Sequence, residues 1–140
     1  MRYTYYPGCS LHATGIGYDK SMRAVFARLG VELAELEDWN CCGATSYTSV
    51  KKTVAYAISA RNLALAEKTG DDIVAPCSAC YYVLNRTQES LNEQPQLRDD
   101  VVAALAEADL EIEAPPPVRH PLEVLATDIG IDRILAAQTN

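Results

Sequence analysis

Apolar positions recur along this chain in two rhythms. Residues Arg2–Tyr6 form a short run rich in Tyr and Thr, closed by Pro7-Gly8, and read as a strand. From Tyr18 to Leu29 the period changes: Met22, Val25, Phe26 and Leu29 return at three- and four-residue steps, which predicts a helix stopped by Gly30. Val31–Leu36 alternates Val31 and Leu33 with charged or small residues, the pattern of a second strand. An alanine-rich helix is expected over Val50–Thr69, with Val54, Ala57, Ile58 and Leu65 on its inner side and Gly70 behind it. Asp72–Ala75 reads as a third, buried strand ended by Pro76. Helices follow over Ser78–Asn92 and from Pro95 to Ala108, the latter with Val101, Val102 and Leu105 as its apolar side. Leu110–Glu113 is predicted as a fourth strand. Ala114–Val118, with three consecutive prolines, is predicted as a stiff connector, and Leu122–Ile129 as a helix.

This β-α-β-α-β-α order predicts an α/β fold: a small parallel sheet of three to four strands flanked by helices, built from Rossmann-like βαβ units. Right-handed crossovers make all strands point one way, so their carboxyl ends share one rim. Cys9 follows the first strand, Cys41 and Cys42 the second, and Cys77 the third. Residues remote in sequence are thereby expected at the edge where α/β proteins bind their ligands.

Length and composition narrow the picture. At 140 residues the chain suits a single domain over 1–140, large enough to fold without cross-links. A net charge of −7 argues against nucleic acid as the main partner. No stretch approaches the ~20 apolar residues of a membrane span. The first residues lack the apolar run of a secretory signal, so a reducing, cytoplasmic setting is expected. Five cysteines cannot all pair within one chain, and in such a setting they read as ligands rather than disulfides.

The most demanding stretch is Asn40-Cys41-Cys42-Gly43. Two adjacent free thiols invite oxidation, and a bond between neighbours strains the backbone. They make sense as thiolates bound to a metal, with Gly43 allowing a tight turn beside it. The reading is that Cys9, Cys41, Cys42, Cys77 and Cys80 converge on one iron–sulfur cluster, with helix N-termini offsetting its negative charge. A zinc site is the competing reading; it needs four ligands and leaves one sulfur unused. Buried apolar cysteines, or a thioredoxin-like Cys77-Ser78-Ala79-Cys80 acting alone, leave the remaining thiols unexplained. His12, three residues after Cys9, is a candidate proton donor or an ordinary loop histidine. His120 is expected either near the site or capping a helix. Trp39 is a candidate shield for the metal or plain packing. Glu32, Glu35, Glu37 and Asp38 read as a solvated face or a docking surface for a basic partner.

The five-cysteine pattern, with Tyr6-Pro7-Gly8-Cys9, Ala75-Pro76-Cys77-Ser78-Ala79-Cys80-Tyr81 and Arg119-His120-Pro121-Leu122-Glu123-Val124-Leu125, resembles the cysteine-rich CCG domain found in the B subunit of heterodisulfide reductase. The resemblance covers nearly the whole chain, with the spacing before Cys77 about one residue short. It implies that Cys9, Cys41, Cys42, Cys77 and Cys80 hold a non-cubane [4Fe-4S] cluster, one of them bridging two irons. It implies a disulfide or related sulfur substrate, and a complex with a ferredoxin-type iron–sulfur subunit and a flavin subunit. The family carries two such domains in tandem. A single copy therefore implies half of a two-cluster site and no turnover alone, with residues 114–140 leading toward a second CCG domain. Related domains in succinate:quinone reductase relatives and in lactate or glycolate oxidation systems keep zinc, and a docking or assembly role, as the alternative.

Overall fold

The computed structural model describes residues 1–44 and 47–138. Its frame is a four-stranded, wholly parallel sheet in the order β2-β1-β3-β4, with β1 Arg2–Tyr5, β2 Glu32–Glu35, β3 Ile73–Val74 and β4 Val118–Arg119. The pleat of β1 sorts its side chains. Tyr3 and Tyr5 enter one apolar layer with Met22, Phe26, Val74 and Val124. Tyr6, just past the strand, enters the opposite layer with Leu63, Ala64, Leu84 and Val101. A strand buried on both faces requires helices on both sides, and the chain supplies them. Helix α1 is Gly8–Leu11, α2 Ile16–Arg28, α3 Tyr47–Val50, α4 Lys52–Glu67, α5 Ser78–Glu93, α6 Pro95–Ala106, α7 Pro121–Val124 and α8 Ile131–Ala136. The α/β class and the parallel sheet flanked by helices are as the hydrophobic pattern predicts.

Helix α2 ends where the sequence says it should. Gly30 takes φ +67°, its N–H returns to Ala27 O (3.0 Å), and the Val31 N–H returns to Phe26 O (2.9 Å). Several expectations need correction. Leu110–Glu113 alternates buried and exposed residues but is not a strand. Its end is held by α4 instead, the Glu67 carboxylate accepting from Glu113 N and Ala114 N. The place beside β3 goes to Val118–Arg119. There Ile73 N donates to Pro117 O (2.9 Å) and Ala75 N to Arg119 O (3.0 Å), so a proline carbonyl serves a ladder that a proline nitrogen cannot. The expected connector 114–118 thus runs into the sheet. The inner face of α4 is also rotated. Ala55, Ser59, Ala60, Asn62, Leu63, Ala64 and Ala66 are buried, whereas Val54 is exposed and Ala57, Ile58 and Leu65 are half-buried. Helix α4 packs on both α5 and α6, and the small residues that permit close approach define its inside. In α6, Val101 and Leu105 are buried while Val102 faces out. Finally, the helix expected over 122–129 begins as α7 and widens into a π-helical turn, Leu125–Ile129, closed by Gly130 N on Leu125 O (3.1 Å).

Candidate metal centre

The strand order places β1 between β2 and β3, so the chain leaves β1 in one direction and later returns on its other side. The crevice at such a reversal, beyond the carboxyl ends, is where open α/β sheets bind ligands. Pro7-Gly8-Cys9 leaves β1 there, Asn40–Gly43 comes from the end of β2, and Pro76-Cys77 leaves β3. Cys77 is the N-cap of α5 and Cys80 lies in its first turn. Cys9 sits in the short α1, and Cys41 and Cys42 on an irregular loop.

The five cysteines come together at this rim: Cys9 acts on Cys41, Cys41 on Cys42, Cys42 on Cys80, and Cys80 on Cys77. They form one string of free thiols, its inner members Cys42 and Cys80 buried and its end Cys9 exposed. Consecutive backbone N–H groups of Cys42, Gly43 and Ala44 are directed at the Cys41 and Cys42 sulfurs, the kind of concave nest that binds anions. Gly43 permits this turn at φ +83°. The hydrogen bond from Cys80 lowers the Cys42 thiol to about 6 against the cost of burial, with the Ala44 N–H assisting. The same shared proton, together with burial, pushes Cys80 upward. One thiolate is therefore favoured at the centre of the string before any metal is bound.

The walls are tightly fitted. Gly8 has φ +69°, and a Cβ there would stand 2.7 Å from Cys80 Sγ, so only glycine lets the β1 loop pass this sulfur. Tyr6 is fully buried, and burial followed by the Cys80, Cys42, Cys41 and Cys9 sulfurs keeps its phenol protonated. Its hydroxyl donates to Asn40 O (2.7 Å), and its ring meets Trp39 edge-on at 5.6 Å. Trp39 in turn meets His12 edge-on at 5.1 Å. His12 Nε2 lies 3.4 Å from the Glu35 carboxylate, which also takes Trp39 Nε1 (3.3 Å) and Arg23 (2.6 Å). Glu35, although exposed, thus ties Arg23, Trp39 and His12 together at the surface. His120 caps α7 through Nδ1, which accepts from Leu122 N (3.3 Å), and it rests edge-on against Tyr81 at 5.7 Å. Sequence reasoning missed the parts that hold the loop, Asn40, Arg61 and Asn62. The signal available was an asparagine directly before the cysteine pair and a second asparagine within an alanine-rich helix.

Among the described residues, no three Cys, His, Asp or Glu side chains enclose one point as they would around a single ion. The thiols form a string, not a cage. A donor set of five sulfurs, an N–H nest and a helix N-terminus fits an anionic, sulfur-rich polynuclear group.

Fold and site together define a class: a parallel α/β domain that gathers cysteines from three strand ends onto one rim. Comparison with known proteins places the chain within that class. The model of the CCG cysteine-rich domain matches residues 3–85, and the chain belongs to this family. It is similar to the 8-methylmenaquinol:fumarate reductase membrane anchor subunit of Wolinella succinogenes, 32% identical over 91% of this chain and 44% of that protein. It is 30% identical, over 96% of this chain and 45% of the relative, to a protein of Archaeoglobus profundus named as like the B subunit of heterodisulfide reductase. It is 27% identical, over 91% of this chain and 43% of the relative, to the B subunit of the ferredoxin/F(420)H(2)-dependent CoB-CoM heterodisulfide reductase of Methanosarcina acetivorans. The chain spans less than half the length of these relatives. Among the described residues no helix is long and apolar enough to cross a membrane.

Proposed function

We propose that this domain is an iron–sulfur half-site of a heterodisulfide-reductase-like oxidoreductase, with Cys9, Cys41, Cys42, Cys77 and Cys80 as its ligands. The observation that carries the reading is the gathering of all five free thiols, from three strand ends, at one rim of the sheet. A four-ligand zinc site would leave one of these sulfurs idle. A non-cubane [4Fe-4S] cluster accounts for all five, and it would supply one-electron transfer and an iron able to meet a substrate sulfur. The chain's own residues do the rest. The N–H nest and α5 N-terminus balance sulfur charge, Tyr6 and Trp39 exclude water, and Gly8 allows close approach of the β1 loop to Cys80. His12, fixed by Glu35 and Trp39, is the proposed proton donor on the Cys9 side. The substrate is a disulfide or related sulfur compound. Partners are a second CCG domain, a ferredoxin-type iron–sulfur subunit and a flavin subunit, so turnover is not expected from this domain alone.

Similarity to a protein named as a membrane anchor favours one second reading, a metal-stabilised docking module without chemistry of its own. Reconstitution without oxygen separates the two. Iron and inorganic sulfide bound with a paramagnetic signal that responds to a thiol or disulfide supports the redox reading. Stoichiometric zinc, with no such signal after iron and sulfide treatment, overturns it.

A further inference from the structure

The loop that bears Cys41 and Cys42 has no helix or ladder of its own through residue 44, so something else must fix it. That something is concentrated at Asn40, every polar atom of which has a partner. Its N–H donates to Asn62 Oδ1 (2.9 Å), and its carbonyl accepts from the Tyr6 hydroxyl (2.7 Å). Its side-chain amide donates to Cys41 O (2.8 Å) and Ile58 O (3.0 Å), while its Oδ1 accepts from Arg61 (3.0 Å). Arg61 also donates to Asp38 O (2.6 Å).

Asn62 is the unusual member. It lies on the inner face of α4 with 1% of its surface exposed, among Leu63, Ala64 and Ala66. A carboxamide in such a place is costly unless its polar atoms are bonded, and asparagine is a poor helix former. Among the described residues its Nδ2 reaches only Ile58 O, at 3.5 Å. The short bond is the one from Asn40 N, one residue before the cysteine pair. We propose that Asn62 is a positioning residue for Cys41 and Cys42, fixing the Asn40 peptide so that both sulfurs stand in register before a metal arrives. The inference rests on the reading of these cysteines as ligands. It adds a determinant on α4 that touches neither sulfur.

The test uses the full chain as wild type, Asn62→Leu, which keeps the branching and the number of heavy atoms but removes the acceptor, and Asn62→Asp, which keeps it. In metal-free protein, Asn62→Leu is expected to speed amide exchange at Asn40–Gly43 by roughly tenfold or more, without a matching rise in β1 or α5. After loading with iron and sulfide, the same variant is expected to change the EPR line shape and the midpoint potential. Asn62→Asp, which keeps the acceptor, is expected to restore the slow exchange of the loop. Unchanged exchange and spectra in Asn62→Leu, or a rise spread evenly over the molecule, would overturn the proposal. Should Asn62→Leu fail to fold, Asn62→Ala, which removes the same acceptor without added bulk, decides, with faster exchange concentrated in the loop expected and unchanged loop exchange overturning the idea. If no version binds iron, the redox reading falls, while the exchange data still judge the clamp.

Discussion

Cys77 and Cys80 are presented by a helix; Cys41 and Cys42 are presented by a loop. On the helix the backbone does the positioning. The N-cap and first turn of α5 set the spacing of the two sulfurs, Tyr81 N closes on Cys77 O (2.8 Å), and no side chain is required to keep them apart. On the loop the same task falls to Asn40 of the loop itself, Asn62 and Arg61 from α4, and Tyr6 from the end of β1. A helix start is rigid but fixes one geometry, three residues apart. A stapled loop can hold two adjacent sulfurs, which no regular element can direct to one place, since neighbours on a strand point to opposite faces and on a helix diverge. The adjacency of Cys41 and Cys42 therefore requires the side-chain clamp.

The sharpest test of the rigid side is Gly8→Ala. The new Cβ must meet Cys80 Sγ at 2.7 Å, and α5 cannot retreat without losing its packing on α4 and α6. Crowding of this kind costs about 1–3 kcal/mol, and the left-handed backbone at φ +69° adds about 1–2 kcal/mol. Urea unfolding of the metal-free protein should show a loss of about 2–5 kcal/mol from these terms. In a double-mutant cycle, Cys80→Ala should return the crowding part and leave the backbone part. A loss below about 1 kcal/mol would mean that the helix-borne sulfur yields as readily as a loop.

The next test compares the two supports directly. Asn40→Ala removes the side-chain bonds to Cys41 O and Ile58 O and the acceptor for Arg61, and should cost about 1–3 kcal/mol. Ser78→Ala, exposed at the start of α5, should stay within about 0.5 kcal/mol. Alkylation of metal-free protein with a maleimide should also diverge. Asn40→Ala is expected to raise modification of buried Cys42, whereas Ser78→Ala leaves Cys80 protected. Equal behaviour of the two variants would dissolve the contrast.

The same division explains what could be read from the sequence. Strand ends, glycine stops and the cysteine spacing are local, and they carried the parallel sheet, the order of elements and the placement of all five cysteines on loops or helix starts. The clamp was not legible because it is made of contacts between Asn40 and residues 18 to 34 positions away, and asparagine has no pattern that announces such a partner. The strand at Val118–Arg119 was hidden for a related reason. Two residues give no period, and Leu110–Glu113 offered a better alternation that tertiary packing then used otherwise. The inner face of α4 was misplaced because an alanine-rich helix touched by two others has no single apolar stripe to read.

A third segment sharpens the comparison by combining both supports, and its predicted effect is the smallest. The π-helical turn Leu125–Ile129 is regular backbone, yet it is also stapled to β1 through Asp128, which accepts from the Tyr3 hydroxyl (2.5 Å), Thr127 (2.6 Å) and Arg119 (3.0 Å). The hydrogen bonds from Thr127 and Tyr3, with Arg119 beside them, hold the Asp128 carboxyl below its ordinary value. A carboxyl depressed on folding contributes stability that is complete above its unfolded value, about 3.9, and is lost as pH falls through the folded value. Asp128→Asn should therefore be less stable than wild type at pH 7 by no more than about 1 kcal/mol, the scale of a solvent-screened ion pair. The two unfolding curves should converge as the pH is lowered below about 3.9. A difference that persists undiminished well below that pH would show that the staple works through shape, and that regular backbone alone suffices to hold this turn against the sheet.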